Sequence, residues 1–195
     1  FYTIWDDLPY PMYNREYYRS DDQLLCISKQ TTNLVKNVLK DHPKPDWAVK
    51  YVPHGINPKT FFPIINDLEF EVWKEKFLEK EEYDFVVLHN SRNIRRKNQS
   101  DIILSWRTFL DQLPVEQAKK CLLIMHCDKV CEHGTHLPNV VENLCDPEIH
   151  NVKFSSHKLE EKELNYLYNT SDAHMFFTDN EGWGLGLTES LMAGR

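Results

Sequence analysis

The stretch Asp84-Phe85-Val86-Val87-Leu88-His89 decides the fold that this sequence predicts. It is a nearly continuous apolar run, which is typical of a strand buried on both faces of a parallel sheet. From here to the end of the chain, apolar runs alternate with amphipathic helix patterns. The predicted helices are 98–113, 137–144, 159–168 and 185–192, and the predicted strands between them are 121–125, 151–155 and 173–178. Four strand–helix units in series indicate an α/β fold with a doubly wound, Rossmann-like parallel sheet.

The sequence before this stretch predicts the end of another domain. An apolar strand pattern at 24–28 is followed by a helix pattern at 29–39, and a short strand is predicted at 49–53. The segment 57–63 is irregular and flanked by prolines, and a charged amphipathic helix follows at 67–80. We therefore expect residues 1–56 to be the end of a second Rossmann-like domain with the crossover, and residues 57–195 to be a C-terminal domain. Because the sequence stops after a helix whose partner strand has not followed, we expect that domain to be truncated before its last elements.

The composition is that of an ordinary globular protein. Of the 195 residues, 41% are hydrophobic and 27% are charged, and the formal net charge is -7. An acidic chain has no broad basic field, so we expect no nucleic-acid partner. No run approaches the ~20 apolar residues that span a bilayer, and the first residues lack the basic start of a signal peptide. Five irregularly spaced cysteines suit a reducing compartment, and these features together favour a cytoplasmic protein with free thiols.

The loop after the first strand of the C-terminal domain is strongly basic. It reads Asn90-Ser91-Arg92-Asn93-Ile94-Arg95-Arg96-Lys97-Asn98 and leads into the positive end of a helix dipole. Cations are unfavourable there unless an anion binds among them, which makes the loop a candidate phosphate site. A solvated basic turn is the alternative, because surface charge runs are commonly that. We interpret His89, at the strand end beside this loop, as a hydrogen-bonding residue rather than a base.

Three glycines and two carboxylates follow the last predicted strand. Gly182, Gly184 and Gly186 lie between Glu181 and Glu189, and glycines at such a turn let backbone N–H groups approach a phosphate. Their spacing does not match the dinucleotide-binding G-x-G-x-x-G pattern. Glu181 would lie at the strand end and Glu189 about one turn into the helix, so both can face one cleft and accept hydrogen bonds from vicinal hydroxyls. A loop anion and a solvated helix residue are the alternative.

Four collinear segments resemble those of glycosyltransferase family 4, whose members are retaining enzymes of the two-Rossmann-domain (GT-B) type. Glu181 to Gly194, E-G-W-G-L-G-L-T-E-S-L-M-A-G, is similar to the E-x7-E signature. Residues 52–63 resemble the V-P-N-G-V-D-x-x-x-F-x-P crossover, residues 91–98 the G-R-x-x-x-x-K-G phosphate loop, and residues 164–173 the L-x-x-L-Y-x-x-A-D-V segment. The match spans residues 24–195, and four motifs in order are far more specific than one.

This resemblance implies an enzyme that moves a sugar from a nucleotide-diphosphate sugar, its co-substrate, to an acceptor hydroxyl, with retention and with no metal or other cofactor. Arg92 and Lys97 would clamp the donor diphosphate and offset the charge that grows on it as the sugar leaves. Glu189 would bind the ribose hydroxyls and Glu181 the hydroxyls of the donor sugar. Backbone N–H groups for sugar and phosphate would come from Gly182, Trp183, Gly184 and Leu185. The acceptor, a glycan, lipid or protein, would bind the other domain, so we expect this chain alone to be inactive.

The sequence departs from the family pattern at several positions. Ser91 stands where the phosphate loop has its first Gly, and Asn98 where it has its last. His54 replaces the usual Asn of the crossover, and Gly186 replaces the Pro of the signature. None of these four changes removes a charged group, so the predicted phosphate clamp stands.

A second kind of site is suggested by His126, Cys127, Cys131, His133 and His136. Cysteine and histidine at short separations are zinc-ligand types, and a structural zinc would staple this loop. The spacing fits no zinc motif well, and we favour unliganded loop residues.

Two further alternatives concern function. The chain could be a glycosyltransferase-like subunit that holds a nucleotide sugar or a partner without catalysis, although the intact set of charged residues argues against a dead site. The first 18 residues are rich in aromatic side chains, which could stack on an acceptor sugar, but we favour packing within the first domain. These side chains are Trp5, Tyr10, Tyr13, Tyr17 and Tyr18.

Overall fold

The structure, a computed structural model, describes residues 2–3 and 12–195, which form two compact units. The first unit runs to Gly55 and includes Asn180–Gly184, and the second comprises Ile56–Asp179 and Leu185–Arg195. None of the helices in these described ranges has the length and apolar character that crossing a membrane requires.

The first unit is built on a three-stranded parallel sheet. Its elements in chain order are β1 (Tyr2–Thr3), α1 (Arg15–Ser20), β2 (Leu24–Cys26), α2 (Lys29–Val38) and β3 (Val49–Tyr51), and the strand order is β1-β2-β3. Helix α2 begins where the Ser28 hydroxyl accepts a hydrogen bond from the Thr31 N–H at 3.0 Å, as an N-cap does. Tyr18 packs with Leu24 and Val35 in the core, whereas Tyr17 is exposed. Trp5 and Tyr10 lie outside the described residues.

The second unit contains a four-stranded parallel sheet with the order β6-β5-β4-β7. Its elements are α3 (Leu68–Phe77), β4 (Phe85–Asn90), α4 (Gln99–Leu110), α5 (Val115–Ala118), β5 (Cys121–His126), α6 (Leu137–Leu144), β6 (Asn151–Ser155), α7 (Glu161–Thr170), β7 (Ala173–His174) and α8 (Leu185–Met192). The chain adds β5 and β6 on one side of β4 and then returns to place β7 on the other side. The strand order therefore reverses between β4 and β7, and the predicted doubly wound parallel sheet is confirmed.

Helices cover both faces of this sheet, which explains why its strands are apolar at nearly every position. Val87, Leu123 and Met125 pack in one core with residues of α4 and α6, such as Trp106 and Leu137. The intervening strand residues, among which are Val86, Leu88, Leu122 and Ile124, pack in a second core with α7. Side chains that alternate between two buried faces produce the continuous run seen in the sequence.

Several predicted elements differ in their bounds from the observed ones. The helix predicted to reach residue 113 ends at Leu110, and Pro114 starts the short helix α5. The helix predicted at 159–168 is observed two residues later, at Glu161–Thr170. It begins there because Glu163 accepts a hydrogen bond from the Glu160 N–H at 3.1 Å and caps the helix. The strand predicted to reach residue 178 is regular only at Ala173–His174.

Candidate functional site

The loops after β4 and β7 leave neighbouring strands at the same edge of the sheet, where the strand order reverses. Ligands of open α/β sheets bind at the carboxyl ends of the strands at this switch point. The basic loop, residues 91–98, follows β4, and residues 175–179 follow β7. The topology of the second unit therefore places the basic loop and the segment after β7 at the same edge of the sheet.

The side chain of Gln99, the first residue of α4, forms hydrogen bonds with the basic loop. The Gln99 side-chain amide donates to the Arg92 carbonyl at 2.6 Å and to the Ser91 hydroxyl at 3.2 Å, and Gln99 is buried. Arg92 itself is exposed. Its backbone is thus fixed while its guanidinium is open to a ligand.

Lys97 has the opposite environment within the same loop. Its side chain is only 8% exposed, and its ammonium lies 4.8 Å from the centroid of the Phe176 ring, in the segment after β7. A cation over an aromatic face is attracted to the electron density of the ring. The protein therefore holds the charge of Lys97 in place more firmly than the charge of the exposed Arg92.

The two loops are also joined by hydrogen bonds. The Asn98 side-chain amide donates to the Asp179 carboxylate at 2.7 Å, and the Asp179 N–H donates to the Arg96 carbonyl at 2.9 Å. Asn98 has a left-handed backbone conformation with φ of 49°, which turns the chain from the basic loop into α4. The basic loop and the segment after β7 thus form one connected structure.

The segment with the histidines and cysteines, residues 126–136, forms hydrogen bonds with the basic loop. The buried Asn93 side chain donates to the carbonyls of Asp128 and Thr135, at 3.0 and 2.7 Å, and accepts from the Thr135 N–H at 3.0 Å. The Arg95 N–H donates to the His133 carbonyl at 3.1 Å. Across residues 2–3 and 12–195, no three His, Cys, Asp or Glu side chains form a group that could hold a metal ion.

Glu189 is connected to the end of β4 through a tyrosine. The Tyr168 hydroxyl donates to the Glu189 carboxylate at 2.6 Å and accepts from the Asn90 side-chain amide at 2.7 Å. Gly186, one turn earlier on α8, lies so close that a β-carbon there would be 3.3 Å from the Asn90 carbonyl. Asn90 is the last residue of β4, so Glu189 is connected to the strand end from which the basic loop with Arg92 leaves.

Two histidines lie at the same edge and are neutral at pH 7, the buried His89 and the partly buried His174. Burial lowers the pKa of His89 to about 4, and burial likewise lowers that of His174 to about 4. His89 bonds the Met175 carbonyl at 3.0 Å through Nδ1, which must carry the proton, and Nε2 accepts from the Ser91 hydroxyl at 2.8 Å. The interpretation of His89 as a hydrogen-bonding residue agrees with these contacts.

The glycine turn belongs to the first unit. Glu181, Gly182, Trp183 and Gly184 lie in this segment, and Gly184 adopts a left-handed conformation with φ of 83°. The Trp183 and His54 rings meet edge to face within the unit, with centroids 6.3 Å apart. Leu185 is the first residue of α8 in the second unit and is exposed. The second unit thus contains Arg92, Lys97, Leu185 and Glu189, and the first unit contains the rest of the predicted set.

Four residues of this edge were not predicted as site residues, namely Asn90, Asn93, Gln99 and Tyr168. Each uses a buried or partly buried polar side chain to hold a predicted site residue or its loop. A buried polar group needs partners, so a polar residue at a strand end or on the inner face of a helix is a signal for such a role. That signal is present in the sequence for Asn90, which ends a strand that begins with four apolar residues.

Comparison of the sequence with family models and with curated proteins gave no match. Solved structures do match. Sucrose-phosphate synthase from Thermosynechococcus elongatus is 18% identical, with a TM-score of 0.66 over 94% of this chain and 41% of that one. An E. coli trehalose-6-phosphate synthase bound with UDP-2-fluoro glucose is 14% identical, with a TM-score of 0.68 over 99% and 50%. WaaG, a glycosyltransferase of lipopolysaccharide biosynthesis, is 20% identical, with a TM-score of 0.65 over 88% and 42%.

These proteins are GT-B glycosyltransferases, and the likeness shows that the chain has their fold. The chain spans half the length of these relatives or less. The predicted Rossmann-like, GT-B architecture is therefore confirmed.

Proposed function

We propose that this chain is the donor-binding part of a retaining glycosyltransferase that moves a sugar from a nucleotide-diphosphate sugar to an acceptor hydroxyl. The observation that carries the proposal is the common anchoring of a basic loop and a carboxylate at the switch point. Arg92 follows Asn90 by two residues, and Asn90 holds Tyr168, which holds Glu189. A nucleotide diphosphate requires cations for its phosphates and a hydrogen-bond acceptor for its ribose hydroxyls. The residues that would supply both are thus connected to the end of β4.

In this proposal, Arg92 and Lys97 clamp the diphosphate. Negative charge grows on the leaving diphosphate as the glycosidic bond breaks, and fixed cations stabilise that charge without needing to reorganise. Lys97 is the more firmly fixed of the two, because it is buried beside Phe176. We propose that these side chains do the work for which other transferases use a divalent metal ion, and that no other cofactor takes part.

The remaining roles follow the E-x7-E resemblance. Glu189 binds the ribose hydroxyls and Glu181 the hydroxyls of the donor sugar. Backbone N–H groups that contact sugar and phosphate come from Gly182, Trp183, Gly184 and Leu185. The anomeric reaction is assisted by the substrate itself. Support for a nucleotide-sugar donor comes from the E. coli relative, whose structure is described as bound with UDP-2-fluoro glucose.

The proposal extends to the rest of the protein. Residues 1–56 form the end of the acceptor-side domain and residues 57–195 the donor-side domain. We propose that this chain by itself binds donor but does not transfer sugar, and that the whole enzyme works in the cytoplasm.

The test is a titration of the full-length protein with UDP, GDP and ADP, repeated with the best ligand on Glu189→Ala and Arg92→Ala. Each change removes a charge-assisted hydrogen bond and should weaken binding by about 1–3 kcal/mol. Glu142→Ala on α6 and Arg107→Ala on α4 remove like charges elsewhere and should leave the affinity unchanged.

Unchanged affinity in both site variants would remove the site assignment. Transfer is then tested with the matching nucleotide sugar and acceptor panels, by following release of the nucleoside diphosphate. Tight donor binding without any release across those panels would favour the non-catalytic subunit instead.

A further inference from the structure

Tyr168 is the fully buried connection between the two halves of the proposed donor site. Its side chain is 0% exposed, between β4 and α8, and its ring packs edge to face against Phe61 with centroids 5.9 Å apart. The hydroxyl is the only polar atom of this side chain. Its two hydrogen bonds, to Asn90 and Glu189, are both short, at 2.7 and 2.6 Å.

The direction of the hydroxyl proton is set by its partners. The side-chain nitrogen of Asn90 can only donate, so it occupies a lone pair of the Tyr168 oxygen. The single hydroxyl proton is then directed at the Glu189 carboxylate. Burial raises the pKa of the Tyr168 hydroxyl, and the neighbouring Glu189 charge raises it further, so Tyr168 keeps its proton and remains a donor at neutral pH.

Because of this bond, the two oxygens of the Glu189 carboxylate can have different partners. Tyr168 bonds Oε2, and Glu189 is partly exposed in the middle of α8. Within the described residues, Oε1 makes no hydrogen bond. A carboxylate has about four acceptor positions, so the oxygen not held by Tyr168 can still accept from two hydroxyls.

We propose that Tyr168 is a positioning residue for ribose recognition: it fixes the rotamer of Glu189 so that Oε1 faces the ribose hydroxyls of the donor. The inference rests on the proposed function, since it assumes that Glu189 binds ribose. Without the tyrosine bond, a glutamate on a helix surface would sample several rotamers and would lose part of its binding energy in becoming ordered. Tyr168 therefore determines how strongly the protein prefers ribonucleotides over nucleotides that lack these hydroxyls.

The test compares UDP with 2′,3′-dideoxy-UDP on the wild-type protein and on Tyr168→Phe, by calorimetry. Phe keeps the ring and removes only the hydroxyl. The ratio of the two affinities should fall about tenfold in Tyr168→Phe, while the affinity for the dideoxy nucleotide stays within about twofold of the wild type. If GDP or ADP binds better than UDP, the same pair is made with that base.

Tyr166→Phe is the matched control. Tyr166 is also buried on α7, but its ring packs against Phe70 and Trp73 rather than against Glu189. Tyr166→Phe removes a buried hydroxyl from the same helix and should leave the affinity ratio unchanged. If Tyr168→Phe lowers both affinities equally, or lowers neither, Tyr168 has only a structural role and the inference is overturned.

Failure of the proposed function gives a different result. In that case the wild-type protein binds none of the nucleotides, or does not distinguish the dideoxy form, or keeps its full preference in Glu189→Ala. A wild-type preference that is lost in Glu189→Ala and kept in Tyr168→Phe overturns the role of the tyrosine alone.

Discussion

Gly134 lies against the backbone of Asn93 so closely that a β-carbon on Gly134 would be 2.3 Å from the Asn93 carbonyl oxygen. The same approach brings the Asn93 side chain into hydrogen bonds with Thr135, on both its carbonyl and its N–H. A glycine is therefore required where the segment with the histidines and cysteines supports the basic loop. We interpret this segment as a structural support for the basic loop.

Gly134→Ala should destabilise the protein and weaken nucleotide binding together. The added methyl group meets the backbone of Asn93 as well as its side-chain oxygen, so the two loops must separate, at a cost of about 1–3 kcal/mol in the free energy of unfolding. Gly55→Ala is the control, because nothing lies within 4 Å of a β-carbon there. Denaturant unfolding and UDP titration measure both effects. Wild-type values for Gly134→Ala would show that this contact does not support the loop.

The parallel sheet could be predicted because the apolar pattern of each buried strand lies within a few consecutive residues. The run from Val86 to Leu88 is apolar at every position since it packs against helices on both sides, and the same pattern recurs at Leu122 to Ile124. The bounds of β7 could not be predicted in this way. The apolar pattern continues to Phe177, whereas regular pairing ends at His174, and pairing depends on where the neighbouring strand is.

The candidate site could be predicted only where a charged or glycine-rich motif marked it. Arg92, Lys97 and Glu189 carry charges that the sequence displays, and the topology of the second unit places their elements at one edge. The residues that hold them act across long separations in the chain, as Asn93 does with Thr135. Such contacts depend on how loops meet in space, which periodicity and spacing do not report.

Phe176→Leu should weaken nucleotide binding by loosening Lys97. The ammonium of Lys97 is held 4.8 Å from the centre of the Phe176 ring, and a cation–π contact contributes about 0.5–2 kcal/mol. Leucine keeps an apolar side chain but has no ring, so the affinity for UDP should fall by a corresponding amount. Phe177→Leu alters the next residue, whose side chain is exposed, and should have no such effect. Equal affinities in the two variants would contradict a role for Phe176.

Acid should destabilise the protein through His89 and His174. Both pKa values are lowered by burial from 6.5 to about 4, so between these values the unfolded chain binds protons that the folded chain does not. The free energy of unfolding is then unaffected by these groups above pH 6.5 and falls as the pH drops from 6.5 towards 4. The slope should be about 1.4 kcal/mol per pH unit for each histidine.

The slope can be assigned to a residue by substitution. His174→Gln keeps an acceptor for the Asn90 N–H but cannot be protonated, so it should remove about one histidine's share of the pH dependence. His133→Asn replaces an exposed histidine and should leave the slope as it is. Urea unfolding at several pH values between 7 and 5 gives these slopes. A wild-type slope in His174→Gln would mean that His174 is protonated in the folded protein.

Asn98 should be replaceable by glycine but not by alanine. Its φ of 49° is a left-handed conformation, which asparagine tolerates and glycine adopts freely, and the resembled phosphate loop has glycine at this position. Asn98→Ala loses the hydrogen bond to Asp179 and strains the backbone, so we expect a loss of about 1–2 kcal/mol in the free energy of unfolding. Asn98→Gly loses the same bond but relieves the strain, so its stability should lie close to that of the wild type. If both variants are equally destabilised, the Asp179 bond rather than the backbone conformation determines the choice of residue here.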